Sequence, residues 1–281
     1  MEGLVIVSAE ADMHGARREN AFIALNGNGE YVGSLLIYPY IDHDIEPEHP
    51  HNLYLHLHAA QESGLSESVK DLLLAHALRR AAEIKCEQQQ PRTRAYVMFL
   101  KGQEKGMAYF LQRGFEHDES MLILERDDAS LPPDPRAPEG VSIRARAMTT
   151  EAEQHRFIET HQNVFPRHPY STESLGELKS LPGWLNLTAF SDGVIAGNIM
   201  VYTRNDGGKA RYIEDLFVTR EWRRQGVARC LLHSALTHFH GAGIQRVQLE
   251  FWSANKPALS LYRAFGFSAV DETEIAVGRY V

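Results

Sequence analysis

The feature that most constrains this 281-residue chain is that it repeats itself about an acidic, proline-rich break. The break runs from Asp127 to Gly140, with four prolines and four acids in fourteen residues. Such a stretch cannot pack a core and reads as a semi-rigid linker. Before it, Ala21–Leu25, a turn at Asn26–Gly29 and Tyr31–Ile37 read as a hairpin. After it, Leu187–Phe190, a turn at Ser191–Gly193 and Val194–Val201 read the same way. Leu53–Leu57 then matches the extended run Arg211–Val218, and Val69–Ala82 matches a helical stretch from Val227 to His240. Ala95–Leu100 matches Val247–Trp252, and Met107–Phe115 echoes a helix that closes on Gly266-Phe267. Self-similarity of this kind predicts two copies of one α/β fold, each a mixed sheet with helices on both faces. The expected units are 1–126 and 141–281, with 127–140 between them.

Within the second unit the predicted order is a strand over Val141–Ala145, then helices over Thr149–Val164 and Thr172–Leu181, then the hairpin. A terminal strand pair over Val270–Val277 is expected to close it.

Charge separates the halves. Residues 1–126 hold 12 Lys/Arg and 19 Asp/Glu, whereas residues 141–281 hold 16 and 14. The net −8 chain has no basic stripe, which speaks against nucleic acid as a partner. No stretch approaches about 18 uninterrupted apolar residues, so no membrane span is expected. Met1–Ser8 is too acidic and short for a signal peptide, and the two cysteines, Cys86 and Cys230, fall in different halves. A cytoplasmic protein without disulfides is the expectation.

The second half carries the sharper chemistry. The strand ending at Val218 feeds a glycine loop, Arg223-Arg224-Gln225-Gly226, and then a helix opening at Val227-Ala228-Arg229. The first turn of a helix has N–H groups with no internal partner, and its dipole favours an anion. Gly226 lets backbone approach a ligand closely, and the two arginines add charge. This is neither a Walker loop nor a dinucleotide fingerprint, because the following Lys-Ser/Thr and the second glycine are missing. Downstream stand Asn255, Pro257, Ala258, Tyr262 and Gly266-Phe267.

Taken in order and spacing, Arg223, Gly226, Ala228, Asn255, Ala258, Tyr262 and Gly266-Phe267 resemble the GNAT superfamily of acyl-CoA-dependent N-acetyltransferases. The resemblance covers roughly residues 141–281, and the two-copy layout is similar to that of the mycothiol synthases. It implies two tandem GNAT folds. It further implies acetyl-CoA as cosubstrate, a primary amine of a small molecule or peptide as acceptor, and no metal. The diphosphate would rest on Arg223, Arg224, Gln225, Gly226, Val227, Ala228 and Arg229. The pantetheine arm and thioester carbonyl would meet Leu216, Phe217 and Val218, with Asn255 holding pantetheine amides unless it is only a helix N-terminal residue. Tyr262 would face the sulfur. With a phenol pKa of ~10 against ~8.5 for a thiol, it is better described as a hydrogen-bond donor to the thiolate than as a full acid.

An amine of pKa ~10.4 must shed a proton before it attacks. The resemblance implies two candidate bases: Glu214, in a Tyr-x-Glu-Asp context similar to that of the superfamily's diamine acetyltransferases, and Glu250, five residues before Asn255 as in its ribosomal-protein N-terminal acetyltransferases. Glu214 is slightly favoured, and strand alternation would put Asp215 on the face opposite it. Phe165, Tyr170, Trp184 and Tyr202 either line an acceptor pocket or pack the core. The acidic run Asp42–His51 and the pair His56 and His58 lack a spacing that fixes a metal geometry.

The first half is less well equipped. Aligning Gly114-Phe115 on Gly266-Phe267 puts Phe110 at the place of Tyr262 and Gln103 at that of Asn255. Its loop, Gln61–Ser66, ends in serine, and the stretch Cys86–Pro91 is expected to absorb its extra length. This half is expected to have kept the fold and lost the acid group. A non-catalytic acyl-CoA sensor or scaffold is the alternative reading, aminoacyl transfer from tRNA is disfavoured by charge, and a homodimer is left open.

Overall fold

The computed structural model describes residues 3–40, 50–60, 66–89, 92–128, 130–166, 169–204 and 210–281. The loop at 61–65 and most of the acidic run at 42–51 therefore lie outside the described residues.

The chain divides into two compact units, one of residues 1–120 with 273–281, the other of residues 121–272. In the first, β1 (Val5–Ser8), β2 (Ala21–Leu25), β3 (Tyr31–Tyr40), β4 (His51–Ala59) and β5 (Thr93–Leu100) lie side by side in that order. All neighbours are antiparallel except β4 and β5, which run parallel. Helix α1 (Ser66–Glu87) joins those two strands, and α2 (Glu104–Leu111) follows β5. Val69, Leu73, Ala77, Ala81 and Ile84 make one buried stripe along α1 at helical spacing. At 22 residues against 15 in its counterpart, α1 itself takes up much of the extra length expected at 86–91.

The chain enters the second unit within β6 (Glu116–Asp127) and continues through β7 (Ser142–Ala145), α3 (Glu151–Val164), α4 (Thr172–Ser180), β8 (Leu185–Ser191), β9 (Val194–Thr203), β10 (Arg211–Val218), α5 (Val227–Gly241), β11 (Arg246–Trp252), α6 (Lys256–Ala264) and β12 (Ser268–Tyr280). The strand order is β7-β8-β9-β10-β11 and then the 121–127 part of β6. Again one pair is parallel, here β10 with β11.

Two features differ from the sequence reading. The expected terminal strand pair over 270–277 is one continuous 13-residue strand, β12. The strands that end each predicted half also change places. Met121–Asp127 pair antiparallel with β11, and Glu274–Tyr280 pair with β5. The predicted linker belongs to the second unit and lies against α5. There Cys230 reaches Pro135 O at 3.7 Å and His233 reaches Pro132 O at 3.1 Å. A proline-rich segment lacks donors for a sheet ladder, but its carbonyls remain good acceptors.

The repeat is visible in packing detail. Gly33 on β3 sits where a Cβ would meet His58 O at 2.6 Å and Val69 at 2.8 Å. Gly197 on β9 sits where a Cβ would meet Phe217 O at 2.7 Å and Leu231 at 3.1 Å. In both units a glycine lets a central helix lie close on the sheet.

The second unit has a core on each sheet face. One gathers Ile199, Val201, Ile213, Leu231, Ala235, Phe239 and Tyr262 around α5 and α6. The other gathers Phe157, Leu175, Met200 and Phe217 around α3 and α4. Capping boxes fix the starts of α3, through Thr150 and Glu153, and of α4, through Ser171 and Ser174.

Candidate active site in the second unit

Strands β10 and β11 pair over only three residues each, Arg211–Ile213 with Val247–Leu249. Beyond that they separate, while β10 stays paired to β9 as far as Val218 and β11 to β6 as far as Trp252. A wedge therefore opens in the sheet at the level of Glu214 and Glu250. Leu216, Phe217 and Val218 follow Glu214 along one side of it, where backbone groups turned away from β9 have no strand partner.

The start of α5 lies a short loop beyond that edge of the wedge. After a 3₁₀ turn at Arg220–Trp222, Arg224 (φ +61°) and Gly226 (φ +93°) take left-handed backbone conformations. Helices α3, α4 and α6 have side-chain caps from Thr150, Ser171 and Asn255, whereas none caps α5. The first N–H groups of α5, at Val227, Ala228 and Arg229, are thus left for a ligand, and the helix dipole favours an anionic one. Arg223 ties its Nε back to Val218 O at 3.2 Å, and Gln225 donates to Glu221 O at 2.7 Å, so the loop is braced at both ends. The Arg229 guanidinium lies over the Phe265 ring at 5.4 Å.

Asn255 is the N-cap of α6, its Oδ1 accepting from Ala258 N at 3.1 Å. The cap occupies the oxygen and leaves the side-chain NH2 without a partner among the described residues. Tyr262 sits about two turns further along, 7% exposed, with its ring against Phe251 and Phe267 at 6.0 and 5.7 Å. Its hydroxyl makes no hydrogen bond among the described residues. Burial pushes its pKa well above the ordinary phenol value, and the charge of Asp215 adds to the rise.

The carboxylates are not arranged as alternation predicts. The register of β10 on β9 slips between Ile213 and Asp215, so Glu214 is an extra residue in a β-bulge. Two residues then oppose one, and the alternation restarts. Tyr212 faces Tyr202, and Asp215 faces Met200, two positions on the same side of β9. Glu214 accepts from Tyr202 Oη at 3.0 Å, and Asp215 accepts from Tyr170 Oη at 2.5 Å. Both acids therefore lie on the α3/α4 face, and the expectation that Asp215 lies opposite Glu214 is overturned by the bulge.

Their surroundings differ. Burial raises the pKa of Glu214, with Tyr202 opposing through its hydrogen bond and Asp215 reinforcing by charge. Tyr202 is itself pushed up to about 12, mainly by burial and then by the charge of Glu214. Glu250 is paired with Arg204 at 3.0 Å, and that guanidinium also stacks on Tyr212 at 3.7 Å. Asp215 Oδ2 receives His161 Nε2 at 3.2 Å as well as Tyr170. His161, on α3, is enclosed by the rings of Phe157, Phe165, Tyr170 and Phe217.

The wedge thus brings together Glu214, Glu250, Leu216, Phe217 and Val218, and the glycine loop follows its β10 edge. Of the aromatic set, Phe165, Tyr170 and Trp184 join the α3/α4 core, while Tyr202 holds Glu214. Sequence reasoning missed His161, Arg204 and Asp215 as members of the site. A histidine one turn before the end of a predicted helix and an acid beside an acid carry no periodic signal, because only the fold joins them.

Residues 149–267 match the model of the Acetyltransferase (GNAT) family. Among curated proteins, the chain is 27% identical over 182 residues to a mycothiol acetyltransferase of Nocardioides sp., covering 57% of this chain and 60% of that protein. It is 27% identical over 191 residues to the mycothiol acetyltransferase of Geodermatophilus obscurus, covering 62% and 61%. The chain thus spans about three fifths of these curated relatives. Among solved structures, a GCN5-related N-acetyltransferase from Sphaerobacter thermophilus superposes with a TM-score of 0.52 at 17% identity, covering 93% of this chain and 81% of that one. That likeness concerns the fold, across both units.

Proposed function

We propose that the GNAT acetyltransferase domain at residues 149–267 moves an acetyl group from acetyl-CoA to a primary amine, using one wedge between β10 and β11 for the thioester and the acceptor. The observation that carries this reading is the conjunction of an uncapped α5 start behind Gly226 with a buried Tyr262 side chain whose hydroxyl is unengaged among the described residues of the same unit. A diphosphate suits the first and a thiolate the second. Acetyl-CoA, when bound, supplies the activated acyl carbon.

The remaining work falls to the chain. The amides of Val227, Ala228 and Arg229 hold the diphosphate, with Arg223 and Arg224 nearby. The open backbone of Leu216, Phe217 and Val218 aligns the pantetheine arm and polarises the carbonyl. The Asn255 NH2 donates to that arm. Glu214 is the better base of the two candidates: its pKa is raised toward the working range, whereas Arg204 neutralises Glu250. Glu214 takes one proton from the acceptor ammonium and passes it to water. The neutral amine then bonds to the acyl carbon as the C–S bond breaks. Tyr262 hydrogen-bonds the departing sulfur, which collects the second nitrogen proton.

Turnover and cofactor affinity measured on Tyr262→Phe test this. The reading requires lost turnover with coenzyme A affinity kept; unchanged turnover would remove Tyr262 from the reaction. A full chain that binds coenzyme A yet acetylates no amine in a broad panel would favour the acyl-CoA sensor instead.

A further inference from the structure

The first unit holds a cleft that acetyl transfer in the second does not use. Strands β4 and β5 pair no further than Tyr54 with Tyr96, and a cleft of about 460 Å³ opens at that level. Its size falls within the range of small-ligand sites, about 300–1,000 Å³. Leu55, Leu57, Val97 and Phe110 give it apolar walls, and Tyr54, His56 and Glu274 bring polar groups to it.

These polar groups are particular to the first unit. The rings of Tyr38 and Tyr54 meet across β3 and β4 at 5.9 Å, as those of Tyr202 and Tyr212 meet across β9 and β10 at 5.3 Å. Two residues beyond Tyr212 stands Glu214, but two beyond Tyr54 stands His56. The carboxylate comes instead from the far side of β5. Glu274 opposes Leu100 there, whereas the same place in the second unit, opposite Trp252, holds Met121.

Glu274 is the one acid among the described residues lining the cleft, and none of those residues is Lys or Arg. Nor does it form an ion pair among the described residues. Its charge reaches the Tyr54 phenol, which is raised above its ordinary pKa first by burial, then by Tyr40, Tyr38 and Glu274. The half around it is acidic, with 12 Lys/Arg against 19 Asp/Glu in residues 1–126. An uncompensated carboxylate beside an aromatic ring and apolar walls repels an anion and suits an organic cation.

We propose that this cleft is a binding site for an organic cation of one ammonium group and a short apolar chain. The chain lies among Leu55, Leu57, Val97 and Phe110, and Glu274 holds the ammonium beside the Tyr54 ring. The ligand is bound and not acetylated there, since Phe110 has no hydroxyl to offer a leaving sulfur. The site stands apart from the acetyl-transfer reading of the second unit.

Nuclear magnetic resonance on the full chain with isotope-labelled methionine methyl groups tests it, with butylamine, butanol and butyrate as probes. Met98 lines the cleft, whereas Met148 and Met200 lie in a core of the second unit. Butylamine should move the Met98 signal and bind about tenfold or more tighter than butanol, the scale of one hydrogen bond to a charged group. Butyrate should leave that signal in place. Glu274→Gln should bring butylamine down to the butanol level, and Glu214→Gln should not. If Glu274→Gln does not fold, the three probes on the unaltered chain decide. Equal binding of all three, a Met98 signal that butylamine does not move, or a preference for butylamine that survives Glu274→Gln overturns the site. Movement at Met148 or Met200 alone gives the amine to the second unit and overturns it too. Acetyl-CoA moving Met98 where butylamine does not gives the cleft to a thioester, with the same consequence. Turnover of Tyr262→Phe is read in the second unit, so either reading can fail while the other stands.

Discussion

Phe99, Phe110 and Phe115 in the first unit and Phe251, Tyr262 and Phe267 in the second form the same aromatic trio. The ring separations are 5.6 and 5.3 Å in one and 6.0 and 5.7 Å in the other. Each trio stands beside a left-handed glycine, Gly114 at φ +79° and Gly266 at φ +82°. Each lies next to a parallel pair that separates early, after Tyr54 with Tyr96 and after Ile213 with Leu249. Both units therefore keep the wedge, and a cleft lined by Leu55, His56, Leu57, Val97 and Phe110 persists in the first. The first unit lacks the phenol oxygen at that place and the bulge, since β4 pairs with β3 without a register slip, and the acid that lines its cleft, Glu274, comes from β12 instead. Sheet geometry and aromatic packing are thus common to both units, and under the proposed function the second gains its chemistry from one oxygen atom and one extra residue.

The substitution that tests this most severely is Tyr262→Phe, which converts the second trio into the first. Turnover should fall by about 10²–10⁴-fold, the usual worth of a positioned acid. The melting temperature should change little, because Phe110 already fills the equivalent place. The reverse change, Phe110→Tyr, should confer no turnover, since β4 has no bulge to present an acid as β10 presents Glu214.

Glu214→Gln should cost about 10²-fold in kcat/KM and abolish the acid limb of the pH profile. The sign follows from the group's state. A carboxylate base works deprotonated, so activity falls as pH drops through its pKa. Burial raises that pKa, so the limb should lie above the ordinary glutamate value of 4.5. Glu250→Gln should leave the limb in place.

Next in size is Gly226→Ala. A Cβ there meets nothing within 4 Å, so the penalty is backbone strain at φ +93° rather than a clash. A penalty of about 1–2 kcal/mol is expected, read as a lower melting temperature and roughly tenfold weaker coenzyme A binding. Asn255→Ala should have the smallest effect on stability, about 1 kcal/mol from the lost cap. Gln103→Ala removes no cap, because Gln103 does not cap α2; what it loses is the bond its Oε1 accepts from Leu100 N at 3.0 Å, worth about 1 kcal/mol.

Much of this architecture was legible from local pattern. The hairpins, the helix stripes and the loop around Gly226 each lie within about fifteen residues, and periodicity and turn chemistry operate over that range. Tyr262 and Asn255 were legible because their spacing to Gly266-Phe267 is a property of one helix. The terminal strands were not, because the sequence of 121–127 or of 273–280 says that it is a strand and nothing about which edge accepts it.

What the sequence determined by itself was the repeated order of elements, the glycine-opened start of α5 and the loss of the phenol at position 110. Each of these is a matter of backbone conformation or side-chain identity along a short stretch. What only the tertiary structure decided was the company kept by Asp215. A register slip against β9 turned it to the side of Glu214, and α3 delivered His161 to it from more than fifty residues away. Strand register is set by pairing with a neighbour, so no reading of one strand alone could have assigned that face.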